Sequence, residues 1–266
     1  MTHLEGGRGS GSDRTDSRLT ATRPVGGARV DAHGGVFHER AFGLRTPSAD
    51  PVLESLLGLA HWLGDDIDTA VALSSITGPE IRRRFPSGRT EIAVIPCRSG
   101  LDLKADMSDI FAASAAFGRL QEADDFEALM SLVSPGAVVV DVGANFGLYA
   151  AHAALYAGQN GAVFAFEPMP AAYALLNANI ADAGLRCTTV CAAVGAENGI
   201  ASFRVAADSS FSGLKDTGRS VTVGQIDVEV IALDAFAPLA RLSADLIKID
   251  VEGGEQAVLR GARNLL

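Results

Sequence analysis

The run Val138-Val139-Val140-Asp141-Val142-Gly143-Ala144-Asn145-Phe146-Gly147 constrains the chain more than any other segment. A continuous apolar stretch of this length suits a strand buried on both faces of a parallel sheet, and the glycines after it allow a tight turn and a close approach of backbone to a ligand. Ala165-Phe166-Glu167-Pro168 follows about twenty residues on, so a second strand ends in a carboxylate, Glu167, spaced as an acid that receives a ribose diol.

The glycine spacing separates two cofactor classes. A pyrophosphate calls for Gly-x-Gly-x-x-Gly, so that helix amides can cradle the phosphates. Here only Gly143 and Gly147 are present, with Ala144 and Asn145 between them. Such a loop suits a cofactor without phosphate, its amino-acid end over the turn and its ribose at Glu167, and S-adenosylmethionine meets that description. The plainer alternative is a strand-to-helix connection with no ligand.

Composition agrees with a globular chain: 266 residues with 48% hydrophobic content can bury a substantial core. The formal charge is −10, and seven Arg against five acidic residues in 1–49 (+2) leave −12 on the remainder. Nucleic acid and anionic membrane are therefore poor partners. Cys97, Cys187 and Cys191 suggest neither a disulfide framework nor a complete zinc set, so a reducing cytoplasm is the expected location. No charged start followed by an apolar core and no long apolar run indicates secretion or membrane spanning.

Three regions are expected. Residues 1–49, rich in Gly, Ser, Thr and Arg, read as a disordered tail. Residues 50–133 read as a cap: a helical pattern from Val52 to Leu63, strands at 91–96 and 101–104 around Arg98-Ser99-Gly100, and a helix from about Arg119 to Val133. Residues 134–266 read as a doubly wound α/β domain: after the first strand, helix 147–157, strand 162–167, helix 170–183 and strand 187–194 alternate. Strand-like segments at 200–205 and 221–232 bracket the polar loop Ser209-Ser210-Phe211-Ser212-Gly213 and suggest a hairpin over the site. A fourth strand, Ala244 to Val251, leads into a helix expected to run to the last residue. His152 and His61 read as packing or surface residues rather than ligands.

Asp141-Val142-Gly143-Ala144-Asn145-Phe146-Gly147, Phe166-Glu167-Pro168 and Ile247-Lys248-Ile249-Asp250-Val251-Glu252-Gly253-Gly254-Glu255 together resemble the FkbM family of S-adenosylmethionine-dependent methyltransferases. The resemblance runs from about Glu91 to the C-terminus and includes Ser209-Ser210; such families usually carry Ala at the position of Gly254. It implies a Rossmann-like class I methyltransferase sheet and O-methylation of a hydroxyl on a small molecule, sugar or natural product. A seven-stranded sheet of that kind would continue past the last helix, so the domain reads as incomplete at its C-terminus. The exposed strand edge this leaves would favour homo-oligomers.

Methyl transfer from a sulfonium demands in-line positioning above all. A base or a divalent metal on the acceptor side adds about 10²–10⁴ fold by removing the hydroxyl proton. The fourth strand should end beside the first, bringing Asp250 and Glu252 to the ligand edge as acceptor-side catalytic candidates. A purely structural account of the same acids is a capped turn and a favourable charge at the helix start. Cofactor contacts are expected from Asp141, Gly143, Ala144, Asn145, Gly147 and Glu167, and no metal ligands are assigned. Lys248, inside an apolar strand, requires a carboxylate neighbour, with Asp250 and Asp141 on the same side. A nicotinamide oxidoreductase would need a third phosphate-facing glycine and a Tyr-Lys or His arrangement, which this chain lacks; a non-catalytic Rossmann-like binding module is the other alternative.

Overall fold

A computed structural model describes Thr90, residues 92–97, 99–109, 111–112, 123–207, 212–215, 218 and 220–266, together with two short strands, β1 (Arg29–Val30) and β2 (Val36–Phe37), paired antiparallel. The rest of the expected tail, the helix at 52–63, and Ser209 and Ser210 lie outside the described residues.

The centre is a four-stranded parallel sheet of β5 (Val138–Val142), β6 (Ala162–Phe166), β7 (Cys187–Val190) and β11 (Leu246–Ile249), in the order β11-β5-β6-β7. The fourth strand of the sequence thus lies against the first, with Lys248 opposite Asp141. Side-chain alternation explains why β6, and β5 apart from Asp141, are apolar. Val139, Val163 and Ala165 face one core, whereas Val140, Val142, Phe164 and Phe166 face a second.

The first core is covered by α2 (Leu148–Ala157) and α3 (Pro170–Asp182). The Ala-rich sequence of α2 has high helical propensity, and Gly158, at φ 66°, ends it. Pro170 occupies the first turn of α3, where a missing N–H costs nothing. The second core is covered by Leu233 and Leu239 on two short 3₁₀ turns and by Val258 on α4 (Glu255–Arg260).

The segment before β5 joins the first core. Strands β3 (Ile92–Pro96) and β4 (Asp102–Asp106) form an antiparallel hairpin, and α1 (Ala123–Leu132) follows. Ile95, Leu103, Phe126 and Met130 pack in one cluster with Val139, Phe146 and Leu148. Asn179 of α3 fixes the hairpin: its Oδ1 accepts from Lys104 N at 2.7 Å, and its Nδ2 donates to Lys104 O and Phe146 O, both at 2.8 Å.

Two sequence expectations need correction. Residues 187–194 are two strands rather than one: β7 ends with its partner β6, and the chain then crosses to β8 (Ala193–Val194). β8 pairs parallel with β10 (Thr222–Ile231), which pairs antiparallel with β9 (Gly199–Ala206). The hairpin therefore belongs to a separate three-stranded sheet. The last helix also stops at Arg260 instead of running to the end. Asp234 captures the chain beyond it, its carboxylate accepting from Asn264 N at 2.9 Å and Leu265 N at 3.1 Å. Gly261 there is packed so closely on Gly195 that a Cβ would run into the Gly195 carbonyl.

His152 is fully buried, edge-on to Phe126. Its Nδ1 is 2.8 Å from Leu148 O, so this nitrogen carries the proton, and Nε2 accepts from Ser99 Oγ at 2.9 Å. Burial lowers its pKa from 6.5 to about 4. The folded state thus holds a neutral imidazole that the unfolded chain protonates below pH 6.5, and stability is lost as pH falls from 6.5 towards 4. A His152→Phe variant should lose about 2 kcal/mol less between pH 7 and pH 5 than the native chain, as read by urea unfolding at each pH.

Candidate active site

The carboxyl ends of β5, β6 and β11 open into a cavity of about 340 Å³. The turn after β5 forms its floor. Gly143 and Ala144 both donate from their amides to Phe166 O at 3.0 Å, Asn145 N donates to Glu167 Oε2 at 2.8 Å, and Gly147 N donates to Ala144 O at 2.9 Å. These four amides are spent within the protein and do not point at a ligand. The arrangement differs from the outward fan of N–H groups that holds a pyrophosphate.

Both glycines of the turn are required by contact as well as by conformation. Gly143 has φ 80°, and a Cβ on it would collide with the carbonyl oxygen of Asp250. Gly147 has φ 93°, with Leu176 Cδ1 2.7 Å from where a Cβ would stand. Asn145 between them is left-handed at φ 50°, a conformation that Asn tolerates better than most residues. Glu252, across the cavity after β11, is left-handed too, at φ 49°.

Of the residues singled out in the sequence, Gly143, Asn145, Glu167, Asp250 and Glu252 line the cavity. Asp141, Ala144 and Gly147 stand behind that lining and support the turn. Asp141 is buried, and Lys248 Nζ stands 3.3 Å from its Oδ1. Lys248 also lies 3.5 Å from Asp250 Oδ2, donates to Gly143 O at 3.0 Å, and stands over the Tyr149 ring at 4.9 Å. The expected internal ion pair is present. Burial drives the Asp141 pKa up against the pull of Lys248; burial depresses Lys248, but the two carboxylates outweigh it and hold the ammonium charged.

Glu167 is 7% exposed. Each oxygen accepts one backbone amide, Asn145 N at Oε2 and Met169 N at Oε1, both at 2.8 Å. Burial raises its pKa from 4.5 to about 7, against the opposing effect of those amides and of Lys248. The unfolded chain ionises this group from pH 4.5 and the folded chain only near 7, so ionisation costs stability as pH rises through that window.

Several lining residues gave no signal in the sequence: Asp106 and Asp109 arrive from the hairpin, 36 residues before Asn145 in the case of Asp109, and Met169 and Leu214 stand on the opposite wall. Phe203 and Ser212, from the strand and polar loop expected over the site, complete that wall. The segment 212–214 returns against Arg204 of β9 and packs Gly213 on the Glu252 backbone, carrying Ser212 to the cavity. The cavity lining contains Asp106, Asp109, Glu167, Asp250 and Glu252 but, among the described residues, no Lys, Arg or His. No group of three His, Cys, Asp or Glu side chains among the described residues is arranged to hold a metal ion, and no helix among them is long and apolar enough to cross a membrane.

The site thus sits on a Rossmann-like α/β unit with a glycine turn, an acid just past the second strand and a parallel fourth strand beside the first. Residues 141–266 match the methyltransferase FkbM domain. Solved structures with similar stretches include TYW2 of Pyrococcus horikoshii in complex with MeSAdo, at 21% identity over 39% of this chain and 36% of that one, TM-score 0.31. The SAM-dependent methyltransferase from Agrobacterium tumefaciens is 14% identical over 41% of this chain and 34% of its own, TM-score 0.29. The Pyrococcus abyssi tRNA (uracil-54, C5)-methyltransferase, in complex with S-adenosyl-L-homocysteine, is 14% identical over 34% and 21%, TM-score 0.27. The chain thus spans about a third or less of the length of these proteins. No curated protein matches it.

Replacing Gly143 by Ala should force β5 and β11 apart at the ligand edge and destabilise the fold by about 2 kcal/mol or more. Thermal unfolding of the G143A protein beside a G136A control, whose glycine has equally positive φ but open space around it, separates the collision from the conformational cost.

Proposed function

We propose that the chain binds S-adenosylmethionine in the 340 Å³ cavity and transfers its methyl group to a hydroxyl oxygen of a small molecule, sugar or natural product. The observation that carries this reading is the buried Glu167 carboxylate at the end of β6, beside a glycine turn whose amides are already engaged. Each Glu167 oxygen keeps a lone pair beyond its amide partner, which suits the two hydroxyls of a ribose. Gly143 and Asn145 would line the methionine end, with Ala144 and Gly147 shaping the turn and Asp141, through Lys248, fixing it.

Charge supports the same choice of cofactor. A lining with five carboxylates and no described cation favours a sulfonium and an ammonium, and repels the two phosphates of a nicotinamide dinucleotide. When bound, the cofactor supplies an electrophilic methyl carbon. The protein's task is then to exclude water, to hold the acceptor oxygen in line and to accept its proton. Asp250 and Glu252 at the end of β11 are the acceptor-side candidates, Asp250 with its side chain 55% exposed. The net −12 of the chain after residue 49 favours a small-molecule or glycan acceptor over nucleic acid.

Separate calorimetric titrations with S-adenosylmethionine and NADH test the reading. Binding of the first alone is expected; binding of NADH alone would make the protein an oxidoreductase candidate, and binding of neither would leave a Rossmann-like module without cofactor. Because a ribose diol donates to the ionised carboxylate, affinity for S-adenosylmethionine should be about tenfold weaker at pH 6 than at pH 8, turning over near pH 7. Glu167→Gln should weaken binding and abolish that pH dependence while the protein remains folded by circular dichroism.

A further inference from the structure

The glycine turn is held by the segment that follows the β3–β4 hairpin. Asn145, the left-handed residue at its centre, donates from Nδ2 to Asp109 Oδ2 at 3.2 Å. Asp109 is itself fixed: it is 5% exposed, and its Oδ1 accepts from Phe111 N at 2.8 Å and Ala112 N at 3.0 Å, in the manner of a helix-capping carboxylate. It follows the turn that ends β4, and β4 is clamped to α3 by Asn179. A rigid path thus leads from α3 through β4 and Asp109 to the Asn145 side chain, and on through the Asn145 backbone amide to Glu167 Oε2.

Resting on the reading of this cavity as an S-adenosylmethionine site, we infer that Asp109 is a positioning residue, which locks Asn145 in its left-handed conformation and thereby aims the Glu167 carboxylate at the ribose. A side chain free to rotate at position 145 would let the turn relax towards ordinary backbone angles and withdraw the amide from Glu167. A carboxylate acceptor is well suited to the task, because a hydrogen bond to a charged group is stronger than one between neutral groups. The same carboxylate serves the cap with one oxygen and the turn with the other, so hairpin and cofactor turn move together.

A charge-conserving exchange tests this in the full chain. In Asp109→Asn the capping oxygen can be retained, but two amide donors then face each other. Asn145→Asp sets two carboxylates together, and the double variant restores a donor and an acceptor with their direction reversed. Binding of S-adenosylmethionine should weaken about tenfold in each single variant and return to within about threefold of the native value in the double variant. The pH profile adds a readout that simple loosening would not move. The Asn145 amide lowers the Glu167 pKa, as does Lys248, while Asp141 raises it, and Cys191 is the other titratable group near it. Loss of that amide in Asp109→Asn should therefore carry the binding midpoint upward from about pH 7, and the double variant should bring it back. Single variants with native affinity and midpoint, or a double variant no better than the singles, would overturn the role of Asp109 while the cofactor assignment stands; a native protein that fails to bind S-adenosylmethionine would overturn both.

Discussion

The Lys248 ammonium, sunk between Asp141 and Asp250, is the constraint on which the ligand edge of the sheet depends. A charge inside a parallel strand is tolerable only if its partners are fixed in advance. Here they come from the two adjacent strand ends, and a third oxygen, the Gly143 carbonyl, comes from the turn itself. Both carboxylates and the Gly143 carbonyl converge on one ammonium, so β5, β11 and the glycine turn are held in one register by electrostatics as well as by the ladder. The collision that a Cβ at 143 would make with Asp250 is the steric counterpart of the same closeness.

Much of this was legible in the sequence because the central strands carry unambiguous signals. Val138–Val142 and Ala162–Phe166 are apolar on both faces, which only a sheet covered on both sides requires, and the Ala-rich α2 and Pro-initiated α3 follow in the spacing of a doubly wound fold. The pairing of Lys248 with Asp141 and Asp250 followed from strand alternation once β11 was set beside β5. Local pattern was enough for these.

It was not enough where a distant residue decides. No Gly or Pro marks the crossing at Cys191-Ala192, because β7 ends for want of a partner beyond Phe166, a fact about β6. The last helix ends where Asp234, 30 residues earlier, captures the backbone at 264 and 265. Asp109 and Asn179 look like ordinary polar residues in sequence, and acquire meaning only when the hairpin folds onto α3. The cavity's acidic character is likewise assembled from three separate stretches of chain.

The two sides of the cavity differ in what they are made of. Beneath the half lined by Gly143 and Glu167 lie backbone-to-backbone contacts, at Gly143 against Asp250 and at the amides closed onto Phe166, which no exchange of side chains can relax. The opposite wall is built from the tips of Met169, Phe203, Ser212 and Leu214, three of them on or beside the hairpin of a separate small sheet. Mutational drift can therefore reshape one half of the chamber freely while the other stays frozen, so that what the cavity admits can change on one side without disturbing the other.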